Sequence, residues 1–406
     1  MKKYGEKDMY QALGVDSGKA NVRKIFSKSI SNDYPNAFVN IVRDPCNPNY
    51  VMTLHNDGDG SKFLQRLLHY WEVGGGYSVF KGMVDDGLSM NTADIAAAGF
   101  VYGNWLVSDI LNVAFPKKIK EDLMLAVAER MSELLQLYRR HGLDAIYFLG
   151  GETADLPDQV RTGVFDVSVS ARMIVDHVIA GNVKPGDVIY GIQSDGRADW
   201  EKTDNFGLMA NGYTLARSCL MDKSYNKKYP QLARDKKTVS DQPFFRGRFK
   251  VGEGIAALGV PNVSEALLSP TRQWAIVIRK LTDFLFNGDS VSELHGISVN
   301  TGGGATKIQH LGGGKVTFVK KMPHPPSLVQ LIQYESGELW ENMQKTFNCG
   351  VGLDIVGNDS PQFRKALELL GESCGLKVYK LGYCEKRKSD KSAKVVLETK
   401  FGTFIY

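Results

Sequence analysis

The stretch Leu54-His55-Asn56-Asp57-Gly58-Asp59-Gly60-Ser61-Lys62-Phe63 follows a short apolar run, residues 50–54, that is typical of a β-strand. Glycine lets the backbone approach a ligand closely, aspartate suits a hard cation, and lysine can meet a phosphate as a point charge. Two interpretations are open from these residues alone. The stretch is either a loop that binds phosphate and Mg²⁺ or a solvated turn between a strand and a helix.

Two named motifs are excluded at this stretch. The order Gly60-Ser61-Lys62 differs from the Gly-Lys-Ser/Thr of a Walker A loop. No glutamate follows at the spacing that an EF-hand requires. The chemistry of the stretch therefore depends on what the rest of the chain brings to it.

The chain has 406 residues, which predicts two domains, and we place their boundary beside the turn at residues 183–187. The predicted domains are residues 1–180 and 181–406. Hydrophobic residues make up 43% and charged residues 23%, as in ordinary globular proteins. The net charge of +5 comes from scattered basic residues, so we expect no nucleic-acid surface, and a small anionic substrate suits the sign.

Cysteine usage and hydropathy indicate the compartment. Five cysteines lie far apart without a CxxC pair, which favours a reducing compartment over a zinc site or a disulfide framework. No apolar run approaches about 20 residues, and the first residues lack the apolar core of a signal peptide. We expect a cytoplasmic protein without membrane spans.

Strand and helix patterns alternate in both halves. Residues 117–141 have the apolar spacing of an amphipathic helix, and residues 164–175 alternate as a half-buried strand does. Residues 79–83 are interpreted as a strand, with Asp86 just before the Ala-rich helix that follows. The predicted fold class is α+β, with two α/β-type domains, each a mixed sheet flanked by helices.

Four acidic residues of the first half, Asp57, Asp86, Asp94 and Glu152, are predicted at strand and loop ends. Two carboxylates about 4 Å apart repel by about 4 kcal/mol at an effective dielectric near 20, and a bound Mg²⁺ removes that cost. The alternative is four separate surface carboxylates.

In the second half, Thr301-Gly302-Gly303-Gly304 follows a predicted strand at residues 294–299. Its backbone N–H groups can point at one anion, so a phosphate site is one interpretation and a tight strand-to-helix turn is the other. His295, taken alone, is expected to be a structural histidine.

Taken together, these stretches resemble the aminoimidazole ribonucleotide synthetase family, the phosphoribosylformylglycinamidine cyclo-ligases. The matching motifs run in order over nearly the whole chain, and the Gly-Gly-Glu-Thr-Ala and Thr-Phe-Asn-Cys-Gly-Val-Gly segments are specific. They are residues 10–21, 57–62, 86–99, 150–157, 211–215, 268–272, 295–304 and 346–352.

The resemblance implies ATP-dependent closure of formylglycinamidine ribonucleotide to aminoimidazole ribonucleotide, with ADP and phosphate as co-products. It implies ATP and Mg²⁺ as cofactors, and a homodimer formed through the sheet of the N-terminal, ATP-binding domain, with the small ribonucleotide bound by the C-terminal domain. The implied catalytic residues are Lys62, Asp94 and His295. The implied metal ligands are Asp57, Asp86, Asp94 and Glu152. The implied ATP and phosphate contacts are Asp57, Gly58, Gly60, Lys62, Asp86, Asp94, Gly151, Glu152 and Thr153. The implied substrate contacts are Asn211, Gly212, Thr301, Gly302, Gly303, Gly304 and Asn348.

The chain also departs from the family pattern. Met209 and Val299 stand where the family has histidines, and residues 31–49 contain no glycine although the family has a glycine-rich segment there. Charged stretches at 197–206 and 222–250 are interpreted as surface insertions. Two alternatives therefore remain open: a related ATP-dependent enzyme of the same superfamily with another substrate, and a non-catalytic nucleotide-binding protein.

Overall fold

The structure is a computed structural model and describes residues 8–15, 25–26, 28–233, 243–260, 262–287, 291–389 and 391–406. Two mixed β-sheets, each covered by helices, organise this part of the chain. The predicted fold class is confirmed. The motif at residues 10–21 lies partly outside the described residues.

The first sheet has six strands in the order β1-β2-β6-β3-β4, with β5 beside β3. Its pairs are antiparallel except β3–β4 and β3–β5, which are parallel. The strands are β1 Val42–Arg43, β2 Tyr50–Gly58, β3 Asn104–Val113, β4 Ile146–Phe148, β5 Glu152–Asp155 and β6 Gly163–Ile174.

Among the described residues, the second sheet has seven strands in the order β10-β12-β7-β13-β11-β14-β15, with β11–β14 parallel and the other pairs antiparallel. Strands β8 and β9 follow β7 in the sequence and form a separate two-stranded sheet. The strands are β7 Val188–Gln193, β8 Asp195–Gly196, β9 Asn205–Phe206, β10 Leu294–Val299, β11 Val316–Lys321, β12 Val351–Gly357, β13 Val378–Lys386, β14 Val395–Thr399 and β15 Gly402–Ile405.

Helices cover both sheets and join the halves. The α-helices are α1 Met9–Ala12, α2 Lys62–Glu72, α3 Ser78–Ala97, α4 Lys117–Arg140, α5 Tyr213–Leu220, α6 Tyr225–Lys228, α7 Val263–Leu267, α8 Trp274–Asn287, α9 Ser327–Ser336, α10 Trp340–Thr346 and α11 Pro361–Cys374. The 3₁₀ turns are Phe100–Tyr102, Val175–His177, Pro230–Leu232, Ala256–Leu258, Val291–Glu293, Gly304–His310 and Gly312–Gly314. No helix among the described residues is long and apolar enough to cross a membrane.

Helix α3 corrects one sequence expectation. Residues 79–83 are not a strand, because Ser78–Ala97 is one continuous helix, and Asp86 lies inside it rather than before it. Nearly every residue from Met83 to Ala97 is buried on all sides. A helix that is enclosed on all sides lacks the amphipathic stripe from which helices are predicted. The apolar run at residues 79–83 therefore resembled a strand.

The alternation along β6 and β3 separates two faces of the first sheet. Val167 and Val169 on β6, with Trp105 and Val107 on β3, are buried against the helix layer. The intervening residues on the other face are open, and they include Leu106, which is 44% exposed. Side chains alternate between the two faces of a strand, so this burial pattern places the described helices on one face of the sheet and leaves the other face open.

The predicted surface insertion at residues 222–250 is partly wrong. Tyr225, Leu232, Phe244 and Phe245 are buried, and the Tyr225 and Phe244 rings each pack edge-on against Phe245. Residues 234–242 lie outside the described part. The stretch thus contributes an aromatic cluster to the core, which its high content of charged residues concealed.

Candidate active site between the two halves

A buried charged cluster lies where helices α2 and α3 meet the second half. The Asp86 carboxylate accepts hydrogen bonds from Lys62 Nζ at 2.8 Å, from the Thr271 N–H at 2.7 Å and from the Thr271 hydroxyl at 2.6 Å. Its other oxygen accepts from Arg66. Burial opposes the charged form, yet the Lys62 and Arg66 charges hold the pKa of Asp86 below its usual range.

Lys62 is fully buried and completely engaged in this cluster. Besides Asp86, its ammonium donates to the Met209 carbonyl at 3.2 Å and to the Ser269 carbonyl at 2.5 Å. An ammonium has three donors, and all three are used. The predicted position beside a transferred phosphoryl group does not fit this geometry, since Lys62 ties the first half to the second instead.

Asp59 completes the cluster. It is fully buried, and its Oδ2 lies 3.2 Å from Arg66 Nε. Burial, together with the neighbouring Asp86 charge, raises the pKa of Asp59 to about 8. A protonated carboxyl here leaves Asp86 as the single anion that faces the Lys62 and Arg66 cations.

A second, more open cluster joins the two halves at Asp94. Its Oδ2 lies 3.4 Å from Lys307 Nζ and 3.5 Å from His55 Nε2. Its Oδ1 is buried and accepts no hydrogen bond from the described residues. His55 Nδ1 lies 2.9 Å from Asn91 Oδ1, and the Asn91 amide donates to the Asp57 carbonyl at 3.0 Å. An unsatisfied carboxylate oxygen at the junction of two halves marks a place for a ligand.

Lys307 links this cluster to the glycine-rich loop. Its ammonium donates to the Thr301 hydroxyl at 2.6 Å and lies 4.8 Å from the centre of the Phe38 ring. The structure therefore brings Asp94 and the 301–304 loop together, as a shared ligand site requires. Phe38, from the stretch at residues 31–49, packs over the Lys307 ammonium.

The glycines of the loop have different reasons to be glycine. Gly304 has φ +53, and a Cβ there would lie 2.4 Å from the Phe347 carbonyl oxygen. Gly302 is exposed, and no described residue has an atom within 4 Å of a Cβ built on it. Gly304 is therefore needed for backbone packing, whereas the space at Gly302 leaves room for a ligand.

The four predicted metal ligands do not form one centre. The Asp86 carboxylate is already paired within the buried cluster, and Glu152 is exposed on β5. Strand pairing places Asp57 opposite Val167, Val167 opposite Asp109, and Ile110 opposite Glu152. Three strand spacings of about 4.8 Å separate Asp57 from Glu152 by about 14 Å, whereas Mg²⁺ binds its ligands at about 2.1 Å. Among the described residues, no group of three or more His, Cys, Asp or Glu side chains is placed to hold a metal.

Asp57 and Asp94 meet the smaller requirement that Mg²⁺ sets when a nucleotide supplies the other oxygens. In that case one or two carboxylates suffice. Asp57 is half-buried on the same face of β2 as His55, and Asp94 carries the unsatisfied Oδ1. These two residues fit a metal that arrives with its phosphates; the four-carboxylate set does not.

Glu152 and Thr153 lie on the outer strand β5, Gly151 directly precedes it, and all three are exposed. A Cβ at Gly151 would lie 2.0 Å from the Asp109 carbonyl oxygen, so close strand packing requires glycine there. Burial raises the pKa of Asp109 to about 6. The Asp109 carboxyl lies outside the motifs predicted from the sequence.

His295 stands apart from these clusters. Its Nδ1 lies 2.8 Å from the Asp187 carboxylate, at the start of β10. Six residues of extended chain, about 20 Å, separate it from Thr301 beyond the end of that strand. The predicted catalytic role does not fit this position, and the structural interpretation of His295 agrees with it.

The remaining predicted substrate contacts differ in whether their polar groups are free to meet a ligand. Gly212 begins α5 with φ +70, and a Cβ there would overlap the Phe347 ring. The Asn211 amide nitrogen is buried and has no hydrogen-bond partner among the described residues, so it is free to meet a ligand. The Ser194 hydroxyl donates to the Asn348 side-chain oxygen at 2.9 Å, and the Asn348 amide donates to the Gly207 carbonyl at 2.7 Å. Asn348 therefore connects neighbouring loops.

Lys307, His55 and Asn91 are the site residues that sequence reasoning missed. Lys307 follows Gly304 by three residues, a spacing that returns a helical side chain to the loop, and this signal was available. His55 and Asn91 gave no such signal, because only the contact between β2 and α3 pairs them.

The architecture is shared with solved structures of one fold. The T. maritima PurL complexed with FGAR is 12% identical with a TM-score of 0.55, covering 97% of this chain and 51% of that chain, so this chain spans about half of it. The thiamine-monophosphate kinase from Stenotrophomonas maltophilia K279a is 14% identical with a TM-score of 0.50, covering 94% and 96%. The protein therefore has the two-sheet fold of this group.

The chain is also similar in sequence to curated proteins. The phosphoribosylformylglycinamidine cyclo-ligase of Saccharolobus solfataricus is 25% identical over 92% of both chains. That of Methanobrevibacter smithii is 27% identical over 57% of this chain and 56% of its own length. No protein-family model matches the chain. The chain is thus similar in sequence to curated phosphoribosylformylglycinamidine cyclo-ligases at below 30% identity.

Proposed function

We propose that the protein is an ATP-dependent cyclo-ligase that closes formylglycinamidine ribonucleotide to aminoimidazole ribonucleotide, with release of ADP and phosphate. The observation that carries the proposal is the Asp94–Lys307–Thr301 cluster, which joins the two halves of a chain homologous to cyclo-ligases. The cluster combines a carboxylate, a cation and a glycine-rich loop. Those are the groups that position a phosphorylated ligand.

Each residue has a distinct role in this proposal. ATP supplies a phosphoryl group that converts the formyl oxygen into a leaving group. Lys307 neutralises charge on the transferred group, since its side chain is only 15% exposed and its ammonium acts in a partly dry site. Thr301 orients the Lys307 ammonium, and Gly302 offers open backbone to the substrate phosphate. The Asn211 amide is available for the ribonucleotide.

Asp94 and Asp57 would hold the Mg²⁺ that accompanies ATP. Mg²⁺ bridges phosphate oxygens and offsets their charge. His55 lies between Asn91 and Asp94, and this contact positions the Asp94 carboxylate. The test that does not depend on turnover is Mg²⁺-dependent binding of a non-hydrolysable ATP analogue, which Asp94→Asn should weaken.

The deciding experiment supplies formylglycinamidine ribonucleotide, ATP and Mg²⁺ and measures both ADP release and aminoimidazole formation. We expect the two products in equal amounts. Asp57→Asn should remove most of the activity while the circular dichroism spectrum is unchanged. ATP binding without any aminoimidazole would overturn the proposal.

The second candidate is an enzyme of the same fold that transfers phosphate to another small substrate. It is favoured by the buried state of Lys62 and by Met209, whose carbonyl accepts from Lys62 where the family has a histidine side chain. In that case ADP release would require a different acceptor. A non-catalytic nucleotide-binding protein, the third candidate, would bind the ATP analogue and release no ADP, and Asp57→Asn would change nothing.

We further propose that two copies associate through the open face of the first sheet. Leu54, Leu106 and Ile110 are 72%, 44% and 41% exposed on that face, where none of the described helices covers them. A second copy would bury these side chains, at about 25 cal/mol for each Å² removed from water. We propose a cytoplasmic location for the assembled enzyme.

A further inference from the structure

A cavity separate from the Asp94 cluster lies between helix α4 of the first half and the loop at residues 197–206 of the second. Its volume is about 320 Å³. The cavity is lined by side chains of α4, by Asp85 of α3, by the 197–206 loop and by the connection at residues 270–273. This volume is at the lower end of the range for small-molecule sites.

The acidic side chains of the cavity are all neutralised by neighbours. Asp85 receives both arms of Arg130, at 2.9 and 2.8 Å. Glu201 receives both arms of Arg272, at 2.9 Å each. These bidentate pairs cancel their charges locally. Glu133 is likewise paired, with Arg130 at 2.6 Å and Lys81 at 2.8 Å.

Two cations of the lining remain without a partner. Arg140, in the last turn of α4, and Lys202, in the loop, make no hydrogen bond or ion pair with any other described residue. The neutral side chains of Gln136 and Thr203, also in the lining, likewise have no hydrogen-bond partner in the described part of the chain. The cavity therefore presents two free positive charges and two free polar groups, which is the donor set of an oxyanion site.

We propose that this cavity binds a phosphate group, either as free phosphate or on a small phosphorylated metabolite. Arg140 contributes a planar fork of donors and Lys202 a compact charge, a pairing that suits a phosphate with two or more anionic oxygens. The two cations come from different halves, so a bound phosphate would connect α4 to the 197–206 loop.

The wall of the cavity also reaches the buried cluster. Thr271 lines the cavity, and its N–H and hydroxyl donate to Asp86 at 2.7 and 2.6 Å. Arg272, the next residue, holds the carbonyls of Gln193 and Gly196 at 2.8 and 3.0 Å. Residues 271 and 272 thus line the cavity and also make contacts that hold the two halves together. A ligand in the cavity can influence those contacts through this segment.

Isothermal titration calorimetry of the full chain with inorganic phosphate tests the proposal. The double variant Arg140→Gln/Lys202→Gln should bind phosphate at least about tenfold more weakly than the wild type, because both charge-assisted contacts are lost. The matched control Lys117→Gln/Lys118→Gln removes the same charge at the other end of α4, where the side chains are 87% and 80% exposed, and it should bind as the wild type does. Equal affinity in both double variants would overturn the site.

Two further binding experiments distinguish this site from the proposed active site and identify the source of the phosphate. The variant Lys307→Gln should keep the Arg140-dependent phosphate site, whereas phosphate binding that depends on Lys307 alone would refute it. Glycerol 3-phosphate in place of inorganic phosphate distinguishes a metabolite site, which binds it at least as tightly, from a site for free phosphate, which binds it more weakly. If the ester and the ion both fail to show a dependence on Arg140 and Lys202, the proposal is wrong.

Discussion

The Lys307 ammonium lies 3.4 Å from the Asp94 carboxylate, although 213 residues separate them in the chain. The pair closes the junction between the helix layer of the first sheet and the glycine-rich loop after β10. Because it is part-buried, the contact is less screened by water and salt than a surface ion pair.

Replacing Lys307 tests the role of this contact in catalysis. Lys307→Gln should lower kcat/KM for cyclisation by roughly 10²-fold or more, as loss of one preorganised donor to a developing charge does. Steady-state kinetics with ADP release as the readout measures this effect. Lys365→Gln, a change at an exposed residue of α11, is the control and should leave the kinetics unchanged. Equal kinetics for the two variants would contradict the proposed role of Lys307.

Replacing Lys62 tests whether the buried cluster is structural. Lys62→Met removes the hydrogen bonds to Asp86 and to the Met209 and Ser269 carbonyls in a fully buried site, and the unsatisfied acceptors should cost about 3–5 kcal/mol in the free energy of unfolding. Urea denaturation followed by circular dichroism measures the loss, with the exposed Lys117→Met as control. A Lys62→Met protein of wild-type stability that has lost activity would instead restore the catalytic role expected from the sequence.

Two glycines of the same loop form a matched pair. Gly304→Ala should destabilise the loop and reduce activity, because its Cβ would lie 2.4 Å from the Phe347 carbonyl oxygen at a φ of +53. Gly302→Ala should be tolerated in the free protein, since no atom of the described residues lies within 4 Å of the added Cβ. Thermal unfolding of the two variants distinguishes them, and a lower melting temperature for Gly302→Ala than for Gly304→Ala would contradict this account.

Asp109 gives a pH-dependent contribution with a definite sign. Burial raises its pKa from 3.8 to about 6, so the folded state favours the protonated carboxyl. Its stabilising contribution is fully present below about pH 4 and is lost as the pH rises through about 6. Asp109→Asn keeps a neutral group, so its free energy of unfolding relative to wild type should rise between pH 4 and pH 7. A constant difference over that range, measured by urea denaturation, would mean that Asp109 is not perturbed.

The open sheet face gives a test of the proposed dimer. Leu106→Glu with Ile110→Glu places charges on the exposed side of β3 and should convert a dimer into a monomer, measured by light scattering after size-exclusion chromatography. Leu125→Glu, on the exposed side of α4, controls for the added charge and should leave the dimer intact. A wild-type monomer, or a dimer that persists in the double variant, would place any association elsewhere.

The local periodicity of apolar residues was enough to predict much of the fold. The helix at Lys117–Arg140 and the strand at Gly163–Ile174 follow directly from apolar spacing, because one face of each is buried and the other is not. The helix at Ser78–Ala97 did not follow, since burial on all sides removes that contrast. The ordered motifs pointed to the cyclo-ligase homology, but they did not indicate which motif residues face a ligand.

What the sequence by itself determined is the pair of mixed sheets and the relationship to cyclo-ligases, because both depend on residue types at local spacings. Only the tertiary structure decided that Lys62 is locked onto Asp86, that His295 pairs with Asp187 away from the loop, and that Lys307 meets Asp94. The physical reason is that the role of a charged side chain is set by burial and by its partner. Both come from elements far apart in the chain, which no local pattern of residues records.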